Sequence, residues 1–500
     1  MKFARQYASK LAGNVVSLVA GMVVLGLVPR TLGPESYGRY EFLTSFFLQV
    51  KGYFDAGTST CFYTRLSQRP GDAGLVVFYR KWFLSASLLM IGGATLLAGT
   101  SLGERVWPGE GPMLVGLAAC FAVITWWLDI TRKMVDAWHL TVRGEMLYAS
   151  ARVVAVSALA ATIWLFGLRL EGYFLYQIAA LLLAVALLTH LLKRRALAPA
   201  GTPPAQPQRA YAREFWDYSH PLLAYASVCT LGVLVDRWVL QTQAGATEQG
   251  YFGLAYQVGA VCFLFTSAMT QLLSREFAVA WDLKDMGRMA AMFRRAIPMS
   301  YTMAAYFSVF IACHAADVVW LLGGSAWEQG SLVMAVLTLY PMHQTYGQLS
   351  GSVYYATGQT RLYRNIGIVG TLTGLPLMLW LVLPTESGGM GLGAAGLSLQ
   401  IVLTQFIFVN VGLWFNVRLM SLNFWKFFAH QLIVPTTLLL CSLASSTSTS
   451  TFAMSRLARL ILDGFVYTAL VAVVILLVPQ LIGLQRGEIG AILRKVPGAK

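Results

Sequence analysis

The sequence predicts an all-α polytopic membrane protein of about 14 transmembrane helices, arranged as two six-helix lobes with pseudo-two-fold symmetry plus two C-terminal helices. Three observations predict it: an apolar composition, apolar runs of bilayer length, and a weak internal repeat. Of the 500 residues, 57% are hydrophobic and only 12% are charged, and mean hydropathy is +0.61. A soluble domain carries roughly 45–50% apolar and about 25% charged residues. Too little charge is present here to cover a water-facing surface.

A helix crossing hydrocarbon needs about 20 mostly apolar residues. Such runs are expected at 9–30, 37–64, 82–102, 112–135, 147–167, 173–192, 216–243, 250–274, 296–316, 329–356, 363–383, 391–415, 428–446 and 457–479. The first follows the basic stretch MKFARQYASK and is too long for a signal-peptide core, so it reads as a retained membrane helix. The outer loops between these runs are all short, which leaves no room for an extracytoplasmic catalytic domain.

The formal net charge is +15. In a membrane protein such a surplus is first explained by basic cytoplasmic loops, so nucleic acid is not expected as a partner. With the N-terminus in the cytoplasm, most Lys and Arg fall on that side, among them Arg65, Arg69, Arg80, Lys81, Lys193, Arg194 and Arg195. Arg30, Arg39, Arg105, Arg169, Arg456 and Arg459 fall on the outer side, and Lys51, Arg152 and Arg237 lie deep in the membrane. Both termini are therefore expected to be cytoplasmic, with Arg456 and Arg459 going against the rule.

The run LKRRALAPAGTPPAQPQRAYAR (192–213) is basic and Pro-rich and reads as a solvated linker. The expected divisions are an N-lobe at 1–192 with helices 1–6, a linker at 193–215, and a C-lobe at 216–415 with helices 7–12. Helices 13 and 14 and a tail fill 416–500. Gly33-Pro34-Glu35-Ser36-Tyr37-Gly38 recurs 212 residues later as Gly245-Ala246-Thr247-Glu248-Gln249-Gly250, and Leu147-Tyr148 recurs as Leu362-Tyr363. Both lobes begin on the same side, which makes this a parallel repeat about an axis along the membrane normal. Chance similarity between apolar stretches is the alternative.

Ionisable side chains inside a membrane cost about 2.5–3.5 kcal/mol on insertion scales and usually line a cavity or pair with one another. Lys51 and Asp55 lie four residues apart on one face of helix 2. Arg152 lies about one turn into helix 5, and Asp236 and Arg237 lie in helix 7. One reading makes Lys51–Asp55 a self-satisfied pair, Arg152 a snorkelling side chain and Arg237 a packing residue. The other places Lys51, Arg152 and Arg237 in a water-filled, net-positive cavity between the lobes, suited to an anionic substrate, with Asp55 and Asp236 as charge-pairing or coupling groups. His314 and His343 read either as proton relays or as packing residues. Trp126-Trp127 and Tyr354-Tyr355 fit an interfacial belt or packing better than a sugar platform.

The six cysteines are scattered with no CxxC pair, so neither a disulfide framework nor a metal site is expected. No GxxxxGK[ST] loop, HExxH or nucleophile elbow is present, which leaves no built-in ATP motor, no cofactor and no enzyme chemistry to expect.

Several patches carry a family resemblance. PRTLGPESYGRYEFLTSFF (29–47) is followed by YFDAGTST (53–60). The second half has YSHPLLAYASVCTLGVLVDRWVLQTQAGATEQGYFGLAYQV (218–258), and then come YYATGQTRLYRNIGIVGTLTG (354–374) and GLGAAG (391–396). In these the chain resembles the Wzx-type polysaccharide transporters of the multidrug/oligosaccharidyl-lipid/polysaccharide flippase superfamily. The resemblance implies two lobes around a cationic cavity and alternating access in the bacterial inner membrane. The implied substrate is an undecaprenyl-pyrophosphate-linked glycan, an O-antigen or exopolysaccharide repeat unit, moved from the inner to the outer leaflet. It further implies membrane lipids, a proton or sodium counter-ion, and the polymerase and glycosyltransferases of the same pathway as partners. Lys51, followed by Asp55 and Gly57, stands where related lipid II flippases have a basic residue, and Asp236-Arg237 matches an Asp-Arg of helix 7. Lys51 is thus the first pyrophosphate contact to expect, with Arg30, Arg152 and Arg237 behind it. Gln257 stands where the family commonly has an arginine, which removes one phosphate contact. The rivals are a lipid II-type flippase, a cation-coupled multidrug exporter of the same superfamily, and a membrane polymerase or ligase. The exporter should favour acidic cavity residues, and the polymerase or ligase a sizeable outer loop.

Overall fold

The computed structural model describes residues 2–196 and 207–484, and among these it contains helices and turns but no strand. The chain forms two compact units, Met1–Gly250 and Tyr251–Lys500. Every expected span falls on helix. Nine helices are long and apolar enough to cross a membrane by length and composition among the described residues. The other five expected spans fall on helices that are kinked, interrupted or mixed with charge.

In the first unit, α1 (Lys2–Asp55) is kinked at Gly33 and is followed by α2 (Thr58–Gln68), α3 (Ala73–Ala98) and the short α4 (Ser101–Val106). Next come α5 (Pro112–Ala137), α6 (Thr141–Phe166), α7 (Leu170–Ala196), α8 (Gln208–Ala244) and the start of α9 (Ala246–Val261). α1 packs on α5, α6 and α8, while α5 packs on α7 and α3. Residues 208–215, which composition assigns to the linker, are the first turns of α8. Residues 197–206 of that linker, and the tail beyond 484, lie outside the described residues.

The second unit holds α10 (Leu264–Asp282), α11 (Met286–Cys313), α12 (Ala315–Gly323), α13 (Ser331–Leu337) and α14 (Tyr340–Ala356). These are followed by α15 (Thr360–Val382), α16 (Gly393–Leu419), α17 (Phe424–Thr449) and α18 (Arg456–Leu477). Its core packs α11 against α14 and α17, with α16 on α14 and α18 on α17.

Trp164 and Phe166 are each 85% exposed, while Gln249, Thr345, Ser398 and Asn416 are buried within a largely apolar core. Large apolar side chains facing outward suit a hydrocarbon solvent. In the second unit several buried polar groups have neutral partners, such as Asn410 with Gln431 and Asn416 with Ser350.

The repeat has a structural counterpart. Gly33 (φ 75°, ψ 169°) and Gly245 (φ 88°, ψ 177°) share one backbone conformation, in a region that only glycine occupies readily. The two echoes also meet reciprocally within the first unit. A Cβ on Gly38 would fall 1.7 Å from the Ala246 carbonyl oxygen, and one on Gly250 would fall 2.1 Å from the Pro34 carbonyl oxygen. Since 34 and 246 are equivalent positions of the repeat, the contact has the symmetry the sequence echo implies. A third glycine, Gly324 (φ 83°, ψ −168°), turns α12 in the same way.

Gly38→Ala and Gly250→Ala are expected to destabilise the protein to a similar extent, by at least about 1–3 kcal/mol, because the backbones must separate. Gly33→Ala is expected to cost about 1–3 kcal/mol through backbone strain alone. Gly26, whose added Cβ would meet nothing within 4 Å, supplies a neutral control. Thermal midpoints of the four purified variants in detergent check the order.

Candidate functional site

Of the charges that the sequence places in the membrane, Lys51 and Asp55 lie on α1, Arg152 on α6, and Asp236 and Arg237 on α8 of the first unit. α1 stops at Asp55 because Ala56 (φ 38°) and Gly57 (φ 84°) leave the right-handed helical region. The break frees backbone N–H groups at the start of α2 that hydrocarbon cannot satisfy. Asp55 takes up one of them, accepting the Ser59 N–H at 2.9 Å, and its carboxylate also accepts the Thr58 hydroxyl at 3.0 Å and the Ser59 hydroxyl at 2.7 Å. The Tyr79 hydroxyl of α3 adds a longer contact at 3.4 Å.

Lys51, one turn before Asp55, does not pair with it. Its Nζ lies 2.6 Å from Asp129 Oδ2 on α5. The two side chains are 17% and 46% exposed, so the pair stands at an open edge. One turn along α5, Lys133 Nζ donates to the Ser59 hydroxyl, and among the described residues no carboxylate lies within ion-pair distance of it. Lys51, Asp55, Ser59, Asp129 and Lys133 thus form one hydrogen-bonded group in which one ammonium is held by a neutral oxygen.

α5 also carries a second cluster. The Arg132 guanidinium bonds Glu145 Oε1 of α6 at 3.0 Å and lies 4.4 Å from the Tyr148 ring centroid. Arg152, one turn further along α6, lies 6.0 Å from the same ring. Closer to the start of α8, Arg65 and Arg69 both bond Glu214, at 2.8 Å and 2.9 Å. Hydrogen bonding to Glu214 raises the Arg69 guanidinium above its ordinary value. Asp72, the N-cap of α3, accepts the Tyr211 hydroxyl at 2.6 Å.

The six residues singled out in the sequence therefore do not converge on one point. Lys51 and Asp55 belong to the first cluster and Arg152 to the second. Arg237 is buried beside the Gly245 turn, where it donates to Gln249 Oε1 at 3.1 Å while the Gln249 amide donates to the Arg237 carbonyl. Asp236 next to it is half-buried, and Arg30 is exposed just before the Gly33 kink. The residues that sequence reasoning missed are Asp129, Arg132 and Lys133. Their signal is the spacing in WWLDITRK (126–133), whose i, i+4 Asp129–Lys133 step mirrors the i, i+4 Lys51–Asp55 step.

No family description matches the sequence, and no characterised protein matches it by sequence. Solved structures do match in fold. An inward-facing multidrug resistance MATE family transporter of the MOP superfamily aligns with a TM-score of 0.66 at 14% identity, covering 82% of this chain and 94% of that one. The lipid II flippase MurJ in an inward closed conformation aligns with a TM-score of 0.64 at 13% identity, covering 93% and 99%. A MOP superfamily transporter from Pyrococcus furiosus, described with a binding pocket of reversed polarity, aligns with a TM-score of 0.55 at 14% identity, covering 84% and 95%. The chain thus has the all-α, multi-pass fold of MOP superfamily transporters and flippases, and these neighbours are not enzymes.

Asp55→Ala is expected to loosen α2 by about 1–2 kcal/mol, the cost of leaving the Ser59 N–H and its neighbouring hydroxyls without their acceptor. Cys61 of α2 is fully buried, so it reports the opening. In a chain where Cys61 is the sole cysteine, its maleimide labelling should accelerate about 5–30-fold in the variant.

Proposed function

We propose that the chain is a flippase moving an undecaprenyl-pyrophosphate-linked oligosaccharide, an O-antigen or exopolysaccharide repeat unit, from the inner to the outer leaflet by alternating access. In this reading it lies in the bacterial inner membrane with both termini in the cytoplasm. Its working halves are helices 1–6 (1–192) and 7–12 (216–415), with helices 13–14 appended.

The observation that carries the proposal is the Lys51–Asp129–Lys133 group. A pyrophosphate is a multivalent anion with several acceptor oxygens, and two ammoniums on facing helices suit it. Lys133 offers its charge without first breaking an ion pair. Lys51 exchanges the half-exposed Asp129 for phosphate, so the empty site stays neutralised and the loaded one is cationic toward the headgroup. Arg152 extends this face along α6. Arg30 and Arg237 stand by the glycine turns and would meet the headgroup at another stage of its passage. The prenyl chain stays in lipid, and an ion gradient supplies the drive. The fold match to a lipid II flippase extends over 93% of the chain, against 82% for a multidrug exporter. That match makes a lipid II-type flippase the second reading.

The test uses purified protein in liposomes containing a fluorescent polyprenyl-pyrophosphate oligosaccharide, with an impermeant glycosidase added outside. Exposure of the inner-leaflet pool should be faster than in empty liposomes. Lys51→Ala and Lys133→Ala should each slow it about 10–100-fold, the loss expected for one hydrogen bond to a charged group. Equal rates with and without folded protein would overturn the flippase reading. Faster exposure of lipid II than of the oligosaccharide lipid would select the second reading.

A further inference from the structure

We propose that His314 and Asp463, in the second unit, form a buried proton-binding site that couples a proton to transport. α11 ends at Cys313 and α12 begins at Ala315, so His314 (φ −108°, ψ 27°) is the joint between them. Its Nδ1 lies 3.0 Å from the Phe310 carbonyl oxygen. A carbonyl only accepts, so Nδ1 carries a hydrogen and donates it. Its Nε2 lies 3.2 Å from Asp463 Oδ2 on α18.

With Nδ1 protonated, a neutral imidazole presents a bare lone pair at Nε2, and a carboxylate presents only lone pairs. Two acceptors cannot face each other at that distance in a buried site without repulsion. One proton between them turns the contact into an imidazolium–carboxylate pair or an imidazole–carboxylic acid pair. The surroundings leave that proton as the remaining means of neutralisation. Both side chains are only 4% exposed. The other Asp463 oxygen accepts the Thr449 hydroxyl, and Ser445 Oγ donates to the Asp463 carbonyl at 2.7 Å. Ser446 Oγ lies 3.2 Å from Nε2 and 3.1 Å from the Ser442 carbonyl, so its single hydrogen serves either partner, and a neutral hydroxyl leaves the Asp463 charge uncompensated.

Among the described residues no other cation serves Asp463. On α12, Asp317 is held by Arg456 at 2.6 Å, and the same guanidinium bonds Glu328 at 2.8 Å. Arg459, one turn before Asp463 on α18, is exposed and makes no ion pair with it among the described residues. Cys313 is exposed, Cys441 of α17 is buried, and the Tyr467 hydroxyl of α18 donates to the Tyr306 carbonyl. Losing the shared proton therefore converts the contact holding the α11–α12 joint to α17 and α18 from attraction to repulsion, and proton occupancy is linked to the position of α12. The coupling role rests on the transport reading. The proton site itself does not.

The test has two arms. Nitrogen-15 NMR of ring-labelled protein resolves its six histidines, with His314 identified by a paramagnetic label on the adjacent exposed Cys313. In the wild type Nε2 should carry or share a proton, as the facing Asp463 oxygen requires. In Asp463→Asn the hydrogen should remain on Nδ1 alone. A bare wild-type Nε2 overturns the site. In the liposome assay a pH gradient should accelerate flipping at least about fivefold, the lower range of measured couplings, and an equal sodium gradient should not. Acceleration that survives in Asp463→Asn, or that sodium alone provides, overturns the coupling. A protonated Nε2 in a protein that flips nothing sustains the proton site and counts against the flippase reading instead.

Discussion

A membrane-spanning backbone that leaves its helix must find partners for the groups it exposes, because hydrocarbon offers none. The rest of the structure depends on how this chain meets that constraint at its breaks. At Gly33 and Gly245 the break needs a conformation that only glycine adopts readily, and two further glycines let the flanking backbones touch. At Ala56–Gly57 the Asp55 carboxylate accepts one freed N–H of α2, that of Ser59, together with the Thr58 hydroxyl. At the α11–α12 joint, the His314 ring donates back to the Phe310 carbonyl. Each repair brings a polar or ionisable group into the membrane region, and those groups then become available for chemistry.

Charge in the first unit is handled as a chain of small compensations. Asp55 is satisfied by hydroxyls and a backbone N–H, which frees Lys51 to reach Asp129 on another helix. Ser59, already donating to Asp55, accepts from Lys133. Removing any member leaves another with an unmet partner, and an unmet charge away from water costs more than the pair contributes. In the proposed function a multivalent anion entering this group would satisfy both ammoniums at once.

The spans were legible because length and apolarity decide them. The repeat was legible in outline because glycine marks the breaks, and the Gly33/Gly245 echo proved to be a shared backbone geometry. The pairing at Lys51 was not legible. Helical spacing points it at Asp55, but α1 ends at that residue and turns its carboxylate into α2, so the partner comes from α5, a contact set by tertiary packing. Arg456 is the converse case. It offends the charge rule as an isolated residue, yet Asp317 and Glu328 neutralise it together, and neither is near it in sequence. The fate of Arg237 was hidden for the same reason, since Gln249 reaches it only after the Gly245 turn folds back.

The two units differ in how they spend polarity. The first concentrates full charges on α1, α5 and α6, whereas the interior of the second is held by neutral pairs such as Gln344–Gln405, Asn410–Gln431 and Asn416–Ser350. Its one buried acid–base contact is His314–Asp463 among the described residues. Neutral pairs between membrane helices contribute modestly and can be exchanged at low cost, while a charged pair responds steeply to an anion or a proton. In the proposed function the first unit would meet the charged headgroup, and the second would answer to the proton held between His314 and Asp463.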